Sequence, residues 1–280
     1  MSRSKRMLID WLRFTTISNE HADLVAHFGL MFQDVAAVGF YNTAIELHGA
    51  HGAMGRMDWH TEHPSQRCCY TFSGADLDKW RAQDKIASLI AWAIDHQARF
   101  TRVDFAVDIL NEPEANVLIL ATMVKNEIAK TNAGAYSVIQ GVRAGVPGTT
   151  LYVGSRQSEK FMRIYDKAAE QGIEGHWVRV ELECKGDYAA AIAPMLLRDG
   201  DGFGLGQIKK FCTFPGVEWY EWAMAEGEFE RVAVDRTPGK RREWQDTILF
   251  AMTLDAVLEN EDFADRLITF LTKGGFVDKT

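Results

Sequence analysis

The chain has 280 residues, of which 47% are hydrophobic and 25% are charged, a composition that is typical of globular proteins. Its longest apolar stretches, such as residues 117–124, are far shorter than the ~20 residues that span a bilayer, so we expect no membrane contact. The formal net charge of −8 argues against a protein that is basic over its whole surface. Charges interrupt the apolar residues near the N-terminus and the four cysteines lack Cys-x-x-Cys spacing. We therefore expect no signal peptide, and reduced thiols in the cytoplasm.

The first part of the chain predicts short strands that alternate with helices. Ser73, three residues before Asp76, is typical of a helix start, and this helix is predicted to run to about residue 97. A segment rich in glycine and histidine predicts a loop over residues 48–63, and we expect its histidines to hold no metal. The other predicted elements here are a strand over 8–17, a helix over 21–32 and strands over 35–47 and 67–72.

The second part predicts a strand over 100–110, a helix from Pro113 to about residue 130, and a helix over 187–197 that includes Pro194. Four further strands are predicted over 136–142, 149–153, 160–167 and 176–185. The glycine-rich segment 199–206 predicts a boundary between residues 1–200 and a mainly helical C-terminal region, 201–280, with helices over 243–258 and 262–271. The predicted fold is α+β: a curved antiparallel β-sheet with helices mainly on one face, plus a small helical C-terminal region.

Two of the predicted strands carry acidic residues at alternate positions. Residues two apart on a strand share a face, so Asp104 and Asp108 project together, as do Glu181 and Glu183 on the strand over 176–185. Carboxylate oxygens suit Mg²⁺ or Mn²⁺, and these four residues are the candidate metal ligands. The simpler interpretation is that they form the solvated face of a half-buried sheet. Their combination with the tyrosine described next favours a site.

A predicted β-hairpin carries a tyrosine between two cations. Arg163, Tyr165 and Lys167 share one face of its second strand, and the turn contains Gly154 and Ser155. Nearby positive charge favours the phenolate and also pairs with phosphate oxygens, so Tyr165 is a candidate nucleophile toward phosphate. Tyrosine alone is more often a sheet-packing aromatic, and Tyr152 on the neighbouring strand is the alternative candidate.

Basic and polar residues outside these strands suggest contacts with phosphate. Ser155 and Arg156 either complete the hairpin turn or bind a phosphate, and both interpretations stay open. Lys240, Arg241 and Arg242 precede the predicted helix over 243–258, where they either bind DNA or form a solvated loop.

Taken in order, the motifs resemble the replication initiation factor family, the Rep_trans-type initiators of rolling-circle replication in plasmids and phages, which are related to conjugative-element relaxases. The resemblance covers roughly residues 7–200. The segments that carry it are 9–15 (IDWLRFT), 72–74 (FSG), 102–108 (RVDFAVD), 148–156 (GTTLYVGSR), 163–167 (RIYDK) and 179–183 (RVELE).

This resemblance implies an enzyme that nicks and rejoins one DNA strand at an origin through a covalent 5′-phosphotyrosine and a divalent metal. Tyr165 takes the position of the nucleophile, while Arg163, Lys167 and Arg179 are expected to neutralise phosphate charge. The expected partners are the double-stranded origin, the single-stranded nick site, a host helicase and a second copy of the chain. The alternatives are a conjugative relaxase with the same chemistry and a non-catalytic DNA-binding regulator of the same fold.

Overall fold

The computed structural model of the chain describes residues 2–16, 21–62, 67–143 and 146–234. The strands are β1 (Ser4–Thr16), β2 (Met31–Val35), β3 (Thr43–Gly49), β4 (Gly52–Trp59), β5 (Cys68–Phe72), β6 (Arg99–Leu110), β7 (Lys130–Thr131), β8 (Tyr136–Arg143), β9 (Val146–Val153), β10 (Lys160–Asp166), β11 (Trp177–Lys185) and β12 (Cys212–Thr213). The helices are α1 (His21–Phe28), α2 (Gly74–Ala82), α3 (Ile86–Asp95), α4 (Val117–Lys125), α5 (Lys167–Gln171), α6 (Gly186–Phe211) and α7 (Glu218–Ala223).

Ten strands form one open antiparallel sheet in the order β2-β3-β4-β5-β1-β6-β11-β10-β9-β8, while β12 pairs with β7. The alternation of apolar residues on the central strands gives the sheet an apolar face, on which Val103, Phe105, Val180 and Leu182 are fully or almost fully buried. Helix α6 packs against β6 and β11. The predicted α+β fold, a large antiparallel sheet with helices, is confirmed.

The opposite face of the central strands is polar, and the strand register fixes which of its side chains are neighbours. We call it the polar face and define it by Asp104 on β6, Glu181 and Glu183 on β11, and Arg163 and Tyr165 on β10. Asp104 lies opposite Glu183, and Glu181 lies opposite Arg163. The two acidic strands and the predicted hairpin therefore do meet on one face of one sheet.

Two predicted helices between residues 73 and 130 differ from the observed ones. The helix predicted from Ser73 to about residue 97 is two helices, α2 and α3, because Asp84 adopts a left-handed conformation (φ 55°) between them. Its predicted start is right, since Ser73 and Asp76 form a capping box. The helix predicted from Pro113 begins only after Asn116, whose side-chain oxygen accepts a hydrogen bond from the Leu118 amide at 2.9 Å.

The glycine-rich segment 199–206 is not a break, because α6 runs through it without interruption. Glycine costs about 1 kcal/mol in a helix relative to alanine. Here the absence of a side chain allows close packing: a Cβ atom added at Gly204 would lie 2.8 Å from Phe105 and closer still to Met7, and one added at Gly206 would overlap the backbone of Glu228. The prediction of a structural boundary here is wrong because it takes glycine as a sign of flexibility, whereas these glycines are needed for their small size.

The loop predicted over residues 48–63 is also wrong, since half of it is strand β4, which pairs with β3 and β5, and residues 48–49 belong to β3. The first compact unit of the chain extends to Val234, so residues 201–234 are part of it. The helices predicted over 243–258 and 262–271 lie outside the described residues. Among the residues described, no helix is long and apolar enough to cross a membrane.

Candidate active site on the polar face

Tyr165 lies near the end of β10, opposite Arg179 of β11 and Thr150 of β9. Its side chain is only 4% exposed. The Arg163 guanidinium carbon is 4.6 Å from the centre of its ring, and the Lys167 ammonium nitrogen is 5.6 Å from it. The predicted cluster of one phenol and two cations is therefore present, although Lys167 belongs to the first turn of α5 rather than to the strand.

The phenol oxygen of Tyr165 lies 3.4 Å from Glu181 Oε2 and donates a long hydrogen bond to it. Burial raises the pKa of Tyr165 well above its usual value, the charge of Glu181 raises it further, and Arg163 and Arg179 oppose the rise only in part. The sequence-based expectation that nearby cations would favour the phenolate is therefore wrong, because desolvation outweighs them. Tyr165 rests as a neutral phenol with a carboxylate as its acceptor.

Glu181 is fixed by Arg163 across the two strands. One guanidinium nitrogen of Arg163 donates to both carboxylate oxygens of Glu181, at 2.9 and 2.7 Å. Glu181 is almost fully buried, so this pairing holds its carboxylate in place beside the phenol. The geometry gives Glu181 the position of a proton acceptor for Tyr165, whereas the sequence analysis had made it a metal ligand.

Arg179 is buried between two carboxylates. It donates to Asp108 at 2.7 and 2.9 Å and to Asp10 Oδ1 at 2.6 Å. Asp108 also accepts hydrogen bonds from Arg6 at 3.0 Å and from the indole of Trp177 at 2.8 Å. Burial alone would raise the pKa of Asp108, but these donors hold that pKa below its usual value.

Asp104 and Glu183 form a second group of paired charges, further along the sheet. Arg102 contacts both carboxylates, at 2.5 Å from Asp104 and 2.8 Å from Glu183, and Lys185 lies 2.9 Å from Glu183. Burial raises the pKa of Asp104 to about 7; Arg102 opposes that rise, while Glu181 and Glu183 add to it. The Arg102 guanidinium carbon lies 4.6 Å from the centre of the Trp11 ring.

The four predicted metal ligands do not fit a divalent cation in this arrangement. Their donor chemistry is suitable, because carboxylate oxygens are hard ligands. However, each carboxylate already binds arginine or lysine: Asp104 binds Arg102, Asp108 binds Arg6 and Arg179, Glu181 binds Arg163, and Glu183 binds Arg102 and Lys185. In the part of the chain that the structure describes, no three His, Cys, Asp or Glu side chains form a group that could hold a metal ion.

The predicted DNA-contacting residues lie away from Tyr165 or outside the described residues. Ser155 and Arg156 are exposed at the tip of the β9–β10 hairpin, at the opposite end of β10 from Tyr165. Ser155 Oγ accepts a hydrogen bond from the Gln157 amide at 3.2 Å. The Arg156 guanidinium lies over the Tyr152 and Phe161 rings, at 5.4 and 5.1 Å from their centres. Lys240, Arg241 and Arg242 lie outside the described residues.

Tyr152, the alternative candidate nucleophile, lies close to this hairpin tip. Its ring stacks on Phe161, with their centres 5.5 Å apart, and its strand neighbour across β10 is Arg163. Tyr165, by contrast, has a carboxylate within hydrogen-bonding distance. This contact makes Tyr165 a better candidate nucleophile than Tyr152.

Three residues without a predicted role complete the buried cluster around Arg179: Asp10, Arg6 and Trp177. Asp10 lies in a register shift between Ile9 and Trp11, where β1 gains one residue relative to β6. Simple alternation along β1 cannot predict the position of a bulged residue. The glycine at position 74 is the trace of this bulge in the sequence. A Cβ atom added there would lie 2.8 Å from Asp10 Oδ1, so a larger residue would crowd the Asp10 side chain.

The chain is similar to known proteins in sequence over part of its length and in fold over most of it. Residues 98–224, which include β6, β10, β11 and Tyr165, match the family model described as replication initiation factor. The chain is also similar in fold to a rolling circle replication initiator protein from Geobacillus stearothermophilus, with a TM-score of 0.66 and 17% identity, over 82% of this chain and 99% of that one. No curated protein is a significant match to the sequence.

Proposed function

Since the chain belongs to the replication initiation factor family, we propose that it starts rolling-circle DNA replication by nicking and rejoining one strand at an origin, with Tyr165 as the nucleophile. The observation that carries the proposal is the contact between the buried Tyr165 phenol and Glu181, with Arg163 and Lys167 over the tyrosine ring. A tyrosine that only packs in a sheet needs neither a carboxylate acceptor nor two cations around its ring.

In the proposed reaction, the Tyr165 oxygen attacks the scissile phosphorus and forms a 5′-phosphotyrosine bond. The bond from phosphorus to the 3′-oxygen breaks, and that oxygen takes up a proton from solvent to become a free 3′-hydroxyl. Glu181 accepts the phenolic proton, which is necessary because burial keeps the phenol neutral before the reaction. In the reverse direction, a 3′-hydroxyl attacks the phosphotyrosine and releases its proton to solvent, while Glu181 returns its proton to the Tyr165 oxygen, so rejoining needs no nucleotide cofactor.

The three cations near the phenol are fixed by carboxylates in this proposal. Arg163 is paired with Glu181, Lys167 with Glu170, and Arg179 with Asp108 and Asp10. Cations held in place before the substrate arrives stabilise transition-state charge without reorganising during the reaction. We assign this role to Arg163 and Lys167, which lie over the tyrosine ring, and a supporting role to the more deeply buried Arg179.

A divalent metal, Mg²⁺ or Mn²⁺, stays part of the proposal as an expectation from the family. The paired carboxylates do not form a site for it in this arrangement, so no step of the reaction is derived through it. Double-stranded origin DNA, a single-stranded nick site, a host helicase, a second copy of the chain and a cytoplasmic location also stay predictions. The functional division into a catalytic region, 1–200, and a helical C-terminal region, 201–280, also stays a prediction, although the first compact unit continues past residue 200 to Val234.

Two alternatives follow from specific observations. The same tyrosine chemistry would serve a conjugative relaxase, which differs in the DNA site that it cuts rather than in the residues at Tyr165. The neutralised carboxylates favour the second alternative, a DNA-binding regulator of the same fold without catalysis. An experiment that detects the covalent intermediate separates the regulator from both nicking enzymes.

The test is to incubate the full-length protein with supercoiled plasmid that carries the DNA flanking its gene, with Mn²⁺ or Mg²⁺ or with chelator. Nicked circles and a covalent protein–DNA adduct on a denaturing gel are the expected products, and both should disappear with chelator. Cleavage confined to a hairpin beside the gene supports a replication origin, whereas cleavage only at a conjugative transfer origin supports a relaxase. DNA binding without any adduct under these conditions would contradict the nicking function.

A further inference from the structure

A basic cleft of about 530 Å³ lies on the polar face at the far end from Tyr165. Arg13 on β1, Arg102 on β6 and Lys185 on β11 are neighbours in the strand register there. Arg156, at the tip of the β9–β10 hairpin, completes the basic lining, and Glu183 is its acidic member. Four cations and one carboxylate therefore share this cleft.

The charge of the cleft is only partly neutralised. Arg102 and Lys185 both contact Glu183, at 2.8 and 2.9 Å. Arg13 donates to Cys69 Sγ at 3.0 Å, and Arg156 lies over two aromatic rings. Among the residues that the structure describes, neither Arg13 nor Arg156 has a carboxylate partner. Two guanidinium groups are thus held in position with their charge available to an anion, and a guanidinium suits a phosphate oxygen pair.

A tyrosine adds to this basic lining. Tyr41 and Thr101 also line the cleft, and the Thr101 hydroxyl donates to the Arg13 carbonyl at 3.3 Å, which leaves Tyr41 as the neutral donor. Burial raises the pKa of Tyr41 to about 12, and Cys69 adds to that rise, so the phenol keeps its proton at neutral pH and can donate it to an anion. The cleft therefore combines four cations with one phenol, groups that bind phosphate oxygens.

The position of the cleft relative to Tyr165 points to a polymer rather than to a small anion. Asp108 shares a strand row with Arg179 and Tyr165, whereas Arg102 shares one with Arg13 and Lys185. These rows are six residues apart on β6, which corresponds to about 20 Å. Half-buried Trp11 and Tyr152 lie on the polar face between them. Aromatic rings between two phosphate sites are typical of surfaces that bind single-stranded nucleic acid.

We propose that this cleft binds a backbone phosphate of single-stranded DNA, several nucleotides away from the phosphate that Tyr165 attacks. Because it places the strand that Tyr165 cuts, the proposal rests on the proposed function. It assigns Arg13, Arg102, Arg156 and Lys185 to positioning the strand, and it sets the DNA path along β6 and β11 toward the phenol. Contacts to phosphate carry no sequence information, so the cleft should bind single strands of any sequence.

The test uses full-length protein carrying Tyr165→Phe, so that no covalent bond forms, in metal-free buffer. Binding of fluorescent oligothymidylates of increasing length is measured by anisotropy over a salt series. Arg13→Gln with Arg156→Gln should weaken binding of the longer oligonucleotides about tenfold and make the salt dependence shallower by about 1.4, for two lost contacts to a single strand. The matched control is Lys125→Gln with Lys130→Gln, which removes two exposed charges from α4 and β7 and should change neither quantity.

Equal affinity and equal salt dependence in both double variants would overturn the proposal. Thymidine monophosphate and inorganic phosphate are tested as competitors, because a free nucleotide could supply the same phosphate chemistry. If thymidine monophosphate binds the parent cleft while the oligonucleotides bind the Arg13/Arg156 variant normally, the cleft is a nucleotide site and the proposal is wrong. Nicking is measured separately with the wild-type protein, so the two proposals can fail independently. If the wild-type protein never nicks DNA but the Arg13/Arg156 variant loses binding, the proposed function is contradicted and the cleft is supported.

Discussion

The two ends of the polar face differ in how their cations are paired. At the Tyr165 end, Arg163, Lys167 and Arg179 each contact a carboxylate, and Arg179 contacts two. In the cleft, Arg13 and Arg156 have no carboxylate partner within the described ranges. Paired cations hold a fixed geometry but contribute little net charge, whereas unpaired cations attract an anion. Under the proposed function, the paired end positions the reacting groups and the unpaired end binds the strand, on one surface of one sheet.

The overall acidity of the chain fits this division. A net charge of −8 would repel DNA if the charge were spread evenly. The polar face avoids this problem at the cleft, where cations outnumber carboxylates by four to one. Local pairing, which the net charge cannot show, therefore decides where a phosphate backbone can approach.

The largest expected effect that would test this division is the loss of the covalent intermediate. Tyr165→Phe removes the oxygen that attacks phosphorus, so nicking and the covalent adduct should fall below detection, while affinity for single-stranded DNA stays near that of the parent. Tyr152→Phe is the matched control on the neighbouring strand and should keep the adduct. If the Tyr165 variant still forms the adduct and the Tyr152 variant does not, Tyr152 is the nucleophile. The reacting residue would then lie beside the cleft, and the two regions would not be separate.

The next effect concerns the proton acceptor. Glu181→Gln should slow nicking about 10²- to 10⁴-fold, the usual contribution of a general base. The parent rate should vary little with pH near neutrality. The variant rate should rise with pH, because solvent hydroxide must then remove the proton from a phenol whose pKa burial has raised. Single-turnover nicking rates over a pH series measure both.

Glu170→Gln is the control for this experiment, since Glu170 is paired with Lys167 beside the same phenol without bonding to it. It should leave the shape of the pH profile unchanged. If Glu181→Gln and Glu170→Gln slow the reaction equally and with the same pH dependence, Glu181 acts only through its charge. The assignment of a proton acceptor would then be wrong.

The strand alternation around Tyr165 made this end of the polar face predictable from sequence. Residues 102–108, 163–165 and 179–183 are all strand residues, so the face on which Asp104, Tyr165 and Glu181 project follows from their spacing alone. What the spacing could not show is which charges pair. Arg102 bridges Asp104 and Glu183 across two strands, and Asp10 reaches Arg179 from a bulge. Both contacts depend on register between strands distant in sequence.

The cleft was less predictable for the same reason. Its cations come from β1, β6, β11 and a hairpin tip, and only Arg156 stood in a segment that sequence reasoning associated with phosphate. The predicted metal ligands do not form a site here. Alternating carboxylates have the same spacing in sequence whether they lie beside one another or pair with arginines, so the spacing cannot distinguish the two arrangements. Similarly, a glycine-rich segment has the same sequence whether it forms a break between domains or lets a helix pack closely against a sheet, as it does in α6.

A smaller effect is expected in the stability of the fold and depends on Asp104. Its pKa is about 7 in the folded chain, above the usual value of 3.8. The folded state therefore holds this proton more tightly, and the resulting stability is complete below pH 3.8 and is lost as pH rises toward 7. The difference in pKa corresponds to at most about 4 kcal/mol. Relative to Asp104→Asn, the parent should become less stable over this pH range.

Urea unfolding of the parent and the variant at several pH values measures this difference. Asp78→Asn serves as the control, because Asp78 is exposed on α2 and pairs only with its helix neighbour Arg81 among the contacts described. Its effect on the free energy of unfolding should be small and nearly independent of pH. Parallel pH curves for the parent and Asp104→Asn would show that Asp104 ionises normally, with Arg102 compensating fully for its burial.

The smallest expected effect comes from the hairpin tip, where a turn residue and a binding residue are adjacent. Ser155 is exposed, and its hydroxyl accepts a hydrogen bond from the Gln157 amide, as a serine in a turn commonly does. Ser155→Ala should therefore lower the free energy of unfolding by about 0.5 kcal/mol or less. Its affinity for oligothymidylates should stay within about twofold of the parent, whereas Arg156→Gln should weaken binding several-fold, because only the guanidinium adds charge to the cleft. Anisotropy titrations of the two single variants decide the matter. Equal losses in both would mean that the Ser155 hydroxyl contacts the phosphate itself, and the binding region would then include the turn as well as the cleft.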